Sequence, residues 1–209
     1  MKLFLDFENG RLATSDGKVF TPANRSWHDG QTGAPASREV TPSEAVEWLQ
    51  NANGTLCRVP VAIIGGREAS PDQLAAAEAM GQHFARMGLT LLCGGRQGIM
   101  EAACRGAASA NGLSIGLLPD ADPAMANPHV TVPIATGIGI ARNALVACAA
   151  LCLVAIGGGY GTISEIAFAL QFEKQVFVLA NGPHIKGVQP CADAAQAAVG
   201  VARVVLNLP

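Results

Sequence analysis

From Val59 onward the chain alternates short, β-rich apolar runs with alanine-rich helical stretches, and this alternation restricts the fold more than any other feature. The apolar runs are 59–64, 89–92, 113–118, 151–156 and 176–179; between them the pattern predicts helices over 71–87, 98–110, 140–150 and 161–172. Runs that are apolar throughout, rather than alternating with polar residues, belong to strands covered on both faces. Strands separated by helical crossovers lie parallel. The expected class is therefore α/β: a Rossmann-like, doubly wound, mostly parallel sheet with helices on both faces. A last helix is expected near 191–199, followed by an apolar terminal run over 201–206.

Residues 1–57 have a different texture. Two short apolar pieces, 3–7 and 18–20, flank Gly10 and Asp16-Gly17 and suggest a hairpin. A polar Pro/Gly/Ser stretch over 21–38 follows. Thr41-Pro42-Ser43-Glu44 then supplies an N-cap, a proline at the first helical position and the partner of a capping box, with Gly54 closing a helix over 42–51. The expected organisation is an N-terminal appendage of hairpin and short helix over 1–57, and a phosphate- or nucleotide-binding domain over 58–209.

With 209 residues, half of them hydrophobic and 14% charged, the chain can bury one substantial core. A formal net charge of -2 offers no general attraction to nucleic acid or to an acidic membrane, so an anion site must be built locally. The longest apolar run, 144–156, falls short of the roughly 18 residues a membrane span needs, and the opening Met1 to Asp6 turns acidic too soon for a secretory signal. Cys57, Cys93, Cys104, Cys148, Cys152 and Cys191 form no CxxC and fall mostly in apolar patterns, which suits buried thiols in a reducing, cytoplasmic setting. His28, His83, His129 and His184 stand too far apart to suggest a metal site.

Ligands of doubly wound sheets bind outside the carboxyl ends of the strands, and here those ends carry glycine. Gly65-Gly66-Arg67-Glu68, Gly94-Gly95-Arg96-Gln97-Gly98 and the 157–162 loop each follow an apolar run, while Gly137-Ile138-Gly139-Ile140-Ala141-Arg142 opens a helix. Glycine lets an anion approach the backbone, the first N–H groups of a helix are unpaired, and guanidinium grips phosphate oxygens in pairs. All four segments should face one edge, with Arg67, Arg96 and Arg142 around a phosphate or a phosphorylated ligand. Thr162 and Glu165 also fit a capping box, in which Glu165 only satisfies backbone donors.

Other sites are argued down by the residues themselves. The 157–162 loop lacks the GK[ST] ending of a P-loop, the first two strand ends do not match GxGxxG, and no acid follows Leu92 where a dinucleotide ribose would want one. Lys2, Lys18, Lys174 and Lys186 all lie outside the glycine loops, so no lysine is placed for a pyridoxal Schiff base. The chemistry thus requires no resident cofactor. Asp120 and Asp122, between Pro119 and Pro123, read as a long surface loop near the site.

The stretch from Gly94 to Ala103, Asn127-Pro128 with Pro133 to Gly137, Ala141-Arg142-Asn143, and Gly158-Gly159-Tyr160-Gly161-Thr162-Ile163-Ser164-Glu165 together resemble the Lonely Guy (LOG) group of Rossmann-like proteins, once labelled lysine decarboxylases. The resemblance spans about 59–179 and is nearest to the branch that contains molybdenum cofactor carrier proteins. It implies two functions that stay open at this point. LOG hydrolases cleave nucleoside 5'-monophosphates at the N-glycosidic bond, and Arg142 and Glu165 match their arginine and glutamate, which would make those two residues catalytic. Carriers bind a phosphorylated pterin, the molybdenum cofactor. Gly157 in place of the hydrolases' proline, Asn143 in place of a lysine, and Leu151 in place of an acid lean toward the carriers. Either way the resemblance places Gly94, Gly95, Gly158, Gly159, Gly161 and Thr162 around a phosphate, with Arg142 as a clamp. Gly65, Gly66, Arg67, Arg96, Gly98, Gly137, Asn143 and Tyr160 complete the expected site. It also implies a homodimer or homotetramer.

Overall fold

The structure is a computed structural model that describes residues 1–7, 9–30, 37–52 and 59–209. Gly54, Cys57 and residues 31–36 of the polar 21–38 stretch lie outside the described residues. The N-terminal part is a five-stranded antiparallel sheet of β1 (Leu3–Asp6), β2 (Arg11–Thr14), β3 (Lys18–Thr21), β4 (Ser26–Asp29) and β5 (Ser37–Val40), in the order β4-β3-β2-β1-β5. The expected hairpin of 3–7 with 18–20 is thus corrected: β2 lies between them, and Leu3 pairs with Thr14. Its Leu12 alternates with polar Arg11 and with Ala13, a pattern too weakly apolar to announce a strand. Helix α1 (Pro42–Asn51) starts on Thr41 with both halves of the capping box formed.

The second sheet holds β6 (Val61–Gly65), β7 (Leu91–Cys93), β8 (Ser114–Leu118), β9 (Val132–Ala135), β10 (Leu153–Ile156), β11 (Val176–Leu179) and β12 (Gln189–Pro190). All its neighbours pair in parallel, in the order β12-β11-β10-β6-β7-β8-β9. The crossovers carry α2 (Pro71–Arg86), α3 (Ile99–Ser109), α4 (Asn143–Ala149) and α5 (Tyr160–Gln171), and α6 (Ala194–Val205) closes the chain. Successive strand residues face opposite layers. Val61, Ile63, Val154 and Ile156 pack with α2, α3, α6 and the N-terminal sheet, whereas Ala62, Ile64, Leu153 and Ala155 pack with α4 and α5. Trp27 stitches the small sheet on by donating its indole N–H to the Leu206 carbonyl at 2.7 Å.

Several expectations need correction. The helix near 191–199 and the run 201–206 are one helix, α6, because Ala194, Ala197, Ala198, Val201, Ala202 and Val205 form a single buried stripe at helical spacing. Gly200 does not break it; it lets the helix lie against the Phe177 ring. The helix expected over 140–150 is a 3-10 turn, Gly139–Arg142, leading into the short α4. Strands β9 and β12 were absent from the apolar pattern, since Pro133 and exposed Val132 and Ile134 mark an edge and β12 is two residues long. Cys93, Cys104 and Cys152 are buried, but Cys148 is exposed on α4.

Helices α2 and α3 pack so closely that a Cβ on Gly106 would lie 2.0 Å from the Glu78 carbonyl oxygen. Gly106→Ala must push the two helices apart and is expected to cost about 2 kcal/mol of stability. Urea unfolding checks this; an unchanged midpoint would contradict the packing.

Candidate functional site

From β6 the chain steps outward through β7, β8 and β9, then returns to β10 on the other side of β6. Strand order therefore reverses between β6 and β10, and a crevice opens at their carboxyl ends, as doubly wound sheets provide at such a point. It encloses about 240 Å³ and is lined by Gly65, Gly66 and Arg67 at the end of β6 and just beyond, Gly94 after β7, Arg142 and Asn143 at the start of α4, Gly159 just before α5, and Gly161, Thr162 and Glu165 on it. The loops after β6, β7 and β10 thus do share one edge. Helices α1, α2 and α6 are capped by the side chains of Thr41, Ser70 and Asp193. In contrast, α3 and α5 begin on Gly98 and Gly159 with no side-chain cap; the first N–H of α3, on Ile99, is taken by the Gly66 carbonyl at 3.1 Å, whereas α5 keeps its first-turn N–H groups and the positive end of its dipole beside the crevice.

Arg142 and Glu165 form its buried floor, with side chains 9% and 7% exposed. Arg142 Nη1 donates to Glu165 Oε1 at 3.0 Å and also to Asn143 Oδ1. Its Nε, though buried, has no hydrogen-bond partner. Gly94 makes room for the guanidinium: a Cβ there would lie 2.3 Å from Arg142 Nη2. Asn143 Nδ2 donates to Ser164 Oγ at 2.9 Å and to the Gly161 carbonyl at 3.3 Å, so it ties α4 to the first turn of α5. Burial pushes the Glu165 carboxyl up to about 7, against the opposing pull of the Arg142 charge and hydrogen bond. The carboxyl consequently changes charge around neutral pH.

The capping-box reading of Thr162 and Glu165 is corrected. Helix α5 begins at Tyr160, three residues before that box would start it, and Glu165 bonds Arg142 instead of the backbone.

The remaining expected residues divide by position. Arg67 is exposed on the rim. Arg96 lies outside the crevice lining, paired with Asp120. Gly95 packs on Gly116 and Leu118, Gly98 on the Gly66 and Arg67 carbonyls, and Gly158 against Thr162, so these three shape the loops from behind. Gly137 donates to the Asp120 carbonyl, away from the crevice, and Tyr160 is 93% exposed beside it. Ile64, Met100 and Ile140 also line the crevice and went unnoticed in the sequence, where each reads as ordinary apolar filling. Asn127, which belongs to the LOG-like signature but carries no role in the sequence reading, donates its Nδ2 to the Gly95 and Arg96 carbonyls and pins that loop from below. Leu151 precedes β10, at the amino end of the sheet, and so lies at the end opposite the crevice.

Among the described residues, no cluster of three or more His, Cys, Asp or Glu side chains could hold a metal ion, and no helix is long and apolar enough to cross a membrane.

A family model of the SLOG cluster4 family matches residues 58–203. The chain belongs to this family. The SLOG match covers the parallel sheet and its helices and leaves the five-stranded sheet outside, and it agrees with the LOG-like resemblance carried by the glycine motifs. The structure is similar to the molybdenum cofactor binding protein of Rippkaea orientalis, at 31% identity and a TM-score of 0.67, covering 72% of this chain and 99% of that one. It is likewise similar to the Moco carrier protein of Chlamydomonas reinhardtii, at 35% identity and a TM-score of 0.66, over 72% of this chain and 100% of that one. An uncharacterized protein of Archaeoglobus fulgidus is 37% identical over 129 residues, 62% of this chain and 85% of its own length.

Proposed function

We propose that this SLOG protein binds a phosphorylated, nucleotide-like ligand in the β6/β10 crevice and carries it, with the molybdenum cofactor as its cargo. The observation that carries the reading is the convergence of the uncapped α5 N-terminus with a buried guanidinium whose Nε lacks a partner. An anion of two or more oxygens suits both, since backbone N–H groups and a forked guanidinium are both phosphate donors. Identity of the cargo rests on the two similar structures, named for binding or carrying the molybdenum cofactor. Met100 and Ile140 offer apolar contact for a planar ring beyond the phosphate. At about 240 Å³ the crevice is smaller than the roughly 300–1,000 Å³ of sites that enclose a whole ligand, so it fits the phosphate end and leaves the rest of the cargo at the open mouth.

N-glycosidic hydrolysis is less well supported. It asks for a carboxylate directed at the sugar, and Glu165, the carboxylate lining the crevice among the described residues, is engaged by Arg142. In our reading residues 58–209 form the binding domain and 1–57 an appendage, and the protein acts in the cytoplasm as a homodimer or homotetramer. Leu145 on α4, Ile163 and Phe168 on α5, and Phe172 just past its end are exposed and supply an apolar face for such assembly.

The test is a paired assay on the purified protein. It is expected to release no base from any of a panel of nucleoside 5'-monophosphates while binding the molybdenum cofactor saturably. Base release that disappears in Glu165→Gln would overturn the carrier reading in favour of the hydrolase.

A further inference from the structure

Gln73 stands at the third position of α2, where the capping box accounts for half of its amide. Its Oε1 accepts the Ser70 N–H at 3.0 Å, and Ser70 Oγ accepts the Gln73 N–H at 3.3 Å. A glutamate would satisfy that box equally well. The other half reaches across the sheet edge, where Nε2 donates to the Ala180 carbonyl at 3.1 Å, just beyond the end of β11. Between these anchors the amide lies against Gly157, the first residue after β10. A Cβ on Gly157 would fall 2.3 Å from Gln73 Nε2 and 2.7 Å from its Cδ.

The groups that Gln73 touches hold one another in an unusual backbone. Gly157 has φ +52°, and Ala180 and Asn181 have φ +50° and +58°, a left-handed conformation that non-glycine residues adopt only when their surroundings hold them there. The Gly157 N–H donates to the Leu179 carbonyl at 3.3 Å, so the crevice loop hangs from the same strand end whose next carbonyl Gln73 grips. Gly158, Gly159 and the first turn of α5 follow directly.

We infer that Gln73 is a positioning residue for ligand binding: its Nε2–H locks the turn after β11 and its amide plane backs the 157–159 loop, fixing where the α5 N–H groups meet a phosphate. This rests on the reading above that the crevice receives a phosphate. Gln73→Glu keeps the cap and the volume but exchanges the donor for an oxygen that repels the Ala180 carbonyl and adds negative charge beneath the loop.

Two measurements on the full chain test it. Titrated with the molybdenum cofactor, Gln73→Glu is expected to bind at least tenfold more weakly than wild type while staying folded, with a melting temperature lower by only about 3 °C. Gln73→Ala is expected to bind similarly weakly and to melt earlier still, having lost the cap. Equal affinity in wild type and both variants would overturn the inference. The second measurement needs no ligand: amide hydrogen exchange at Gly157 is expected to quicken at least tenfold in Gln73→Glu, with β6 and β10 unchanged. If wild type fails to bind the cofactor, the carrier reading falls, and exchange alone decides the role of Gln73; an unaltered Gly157 rate then refutes it.

Discussion

Arg142→Ala is expected to weaken binding of the phosphorylated cargo by about 100-fold, which corresponds to about 2.7 kcal/mol. That is the scale of charged hydrogen bonds made in a site shielded from water. The guanidinium is buried, its Nε is free, and Gly94 leaves the space it occupies. The fold should tolerate the change, because a Glu165 carboxyl already raised to about 7 can stay protonated once its cation is gone. Arg142→Lys is expected to fall between the two, retaining charge but losing the fork. Calorimetric titration beside a thermal melt checks this: unchanged affinity in a folded Arg142→Ala protein would remove the clamp.

Glu165→Gln is expected to abolish a pH dependence of stability. In the folded protein the carboxyl titrates near 7, against an ordinary value of 4.5. Between those values the folded state keeps a proton that the unfolded chain has lost. Wild-type stability therefore declines as pH rises through that window, by on the order of 3 kcal/mol, and the advantage of the protonated form is complete only below the unfolded value. The glutamine variant has no such titration and can still accept from Arg142. It should gain on wild type as pH rises from about 5 to about 8, read by urea unfolding at both ends; a constant difference would contradict the assignment. A phosphate on Arg142 would raise Glu165 further, so binding near neutral pH should take up a proton and its measured enthalpy should vary with the buffer.

The legible parts of this fold were those decided locally. Strand β11 matches its apolar run because Val176 to Leu179 are buried on both faces, and α1 matches because Thr41, Pro42 and Glu44 build its start without outside help. Strand β9 was hidden because an edge strand holding Pro133 needs no apolar pattern. The glycine loops announced the crevice, but its arginines looked alike in sequence. Asp120, 24 residues away, engages Arg96, whereas Glu165 and Gly94 hold Arg142 in the floor. A local signature misled at one place. Thr162 and Glu165 spell a capping box that α5 overrides by starting at Tyr160, while the bond from Gln73 to Ala180, 107 residues along the chain, has no local signature to announce it.

The central claim is that this protein holds the molybdenum cofactor through its phosphate at the β6/β10 crevice. The most direct measurement is the pterin recovered, as its fluorescent oxidised derivative, from wild-type and Arg142→Ala proteins purified side by side from cells that make the cofactor. The account predicts pterin in stoichiometric proportion to wild type and almost none with the variant. Equal amounts in both, or none in either, would contradict it.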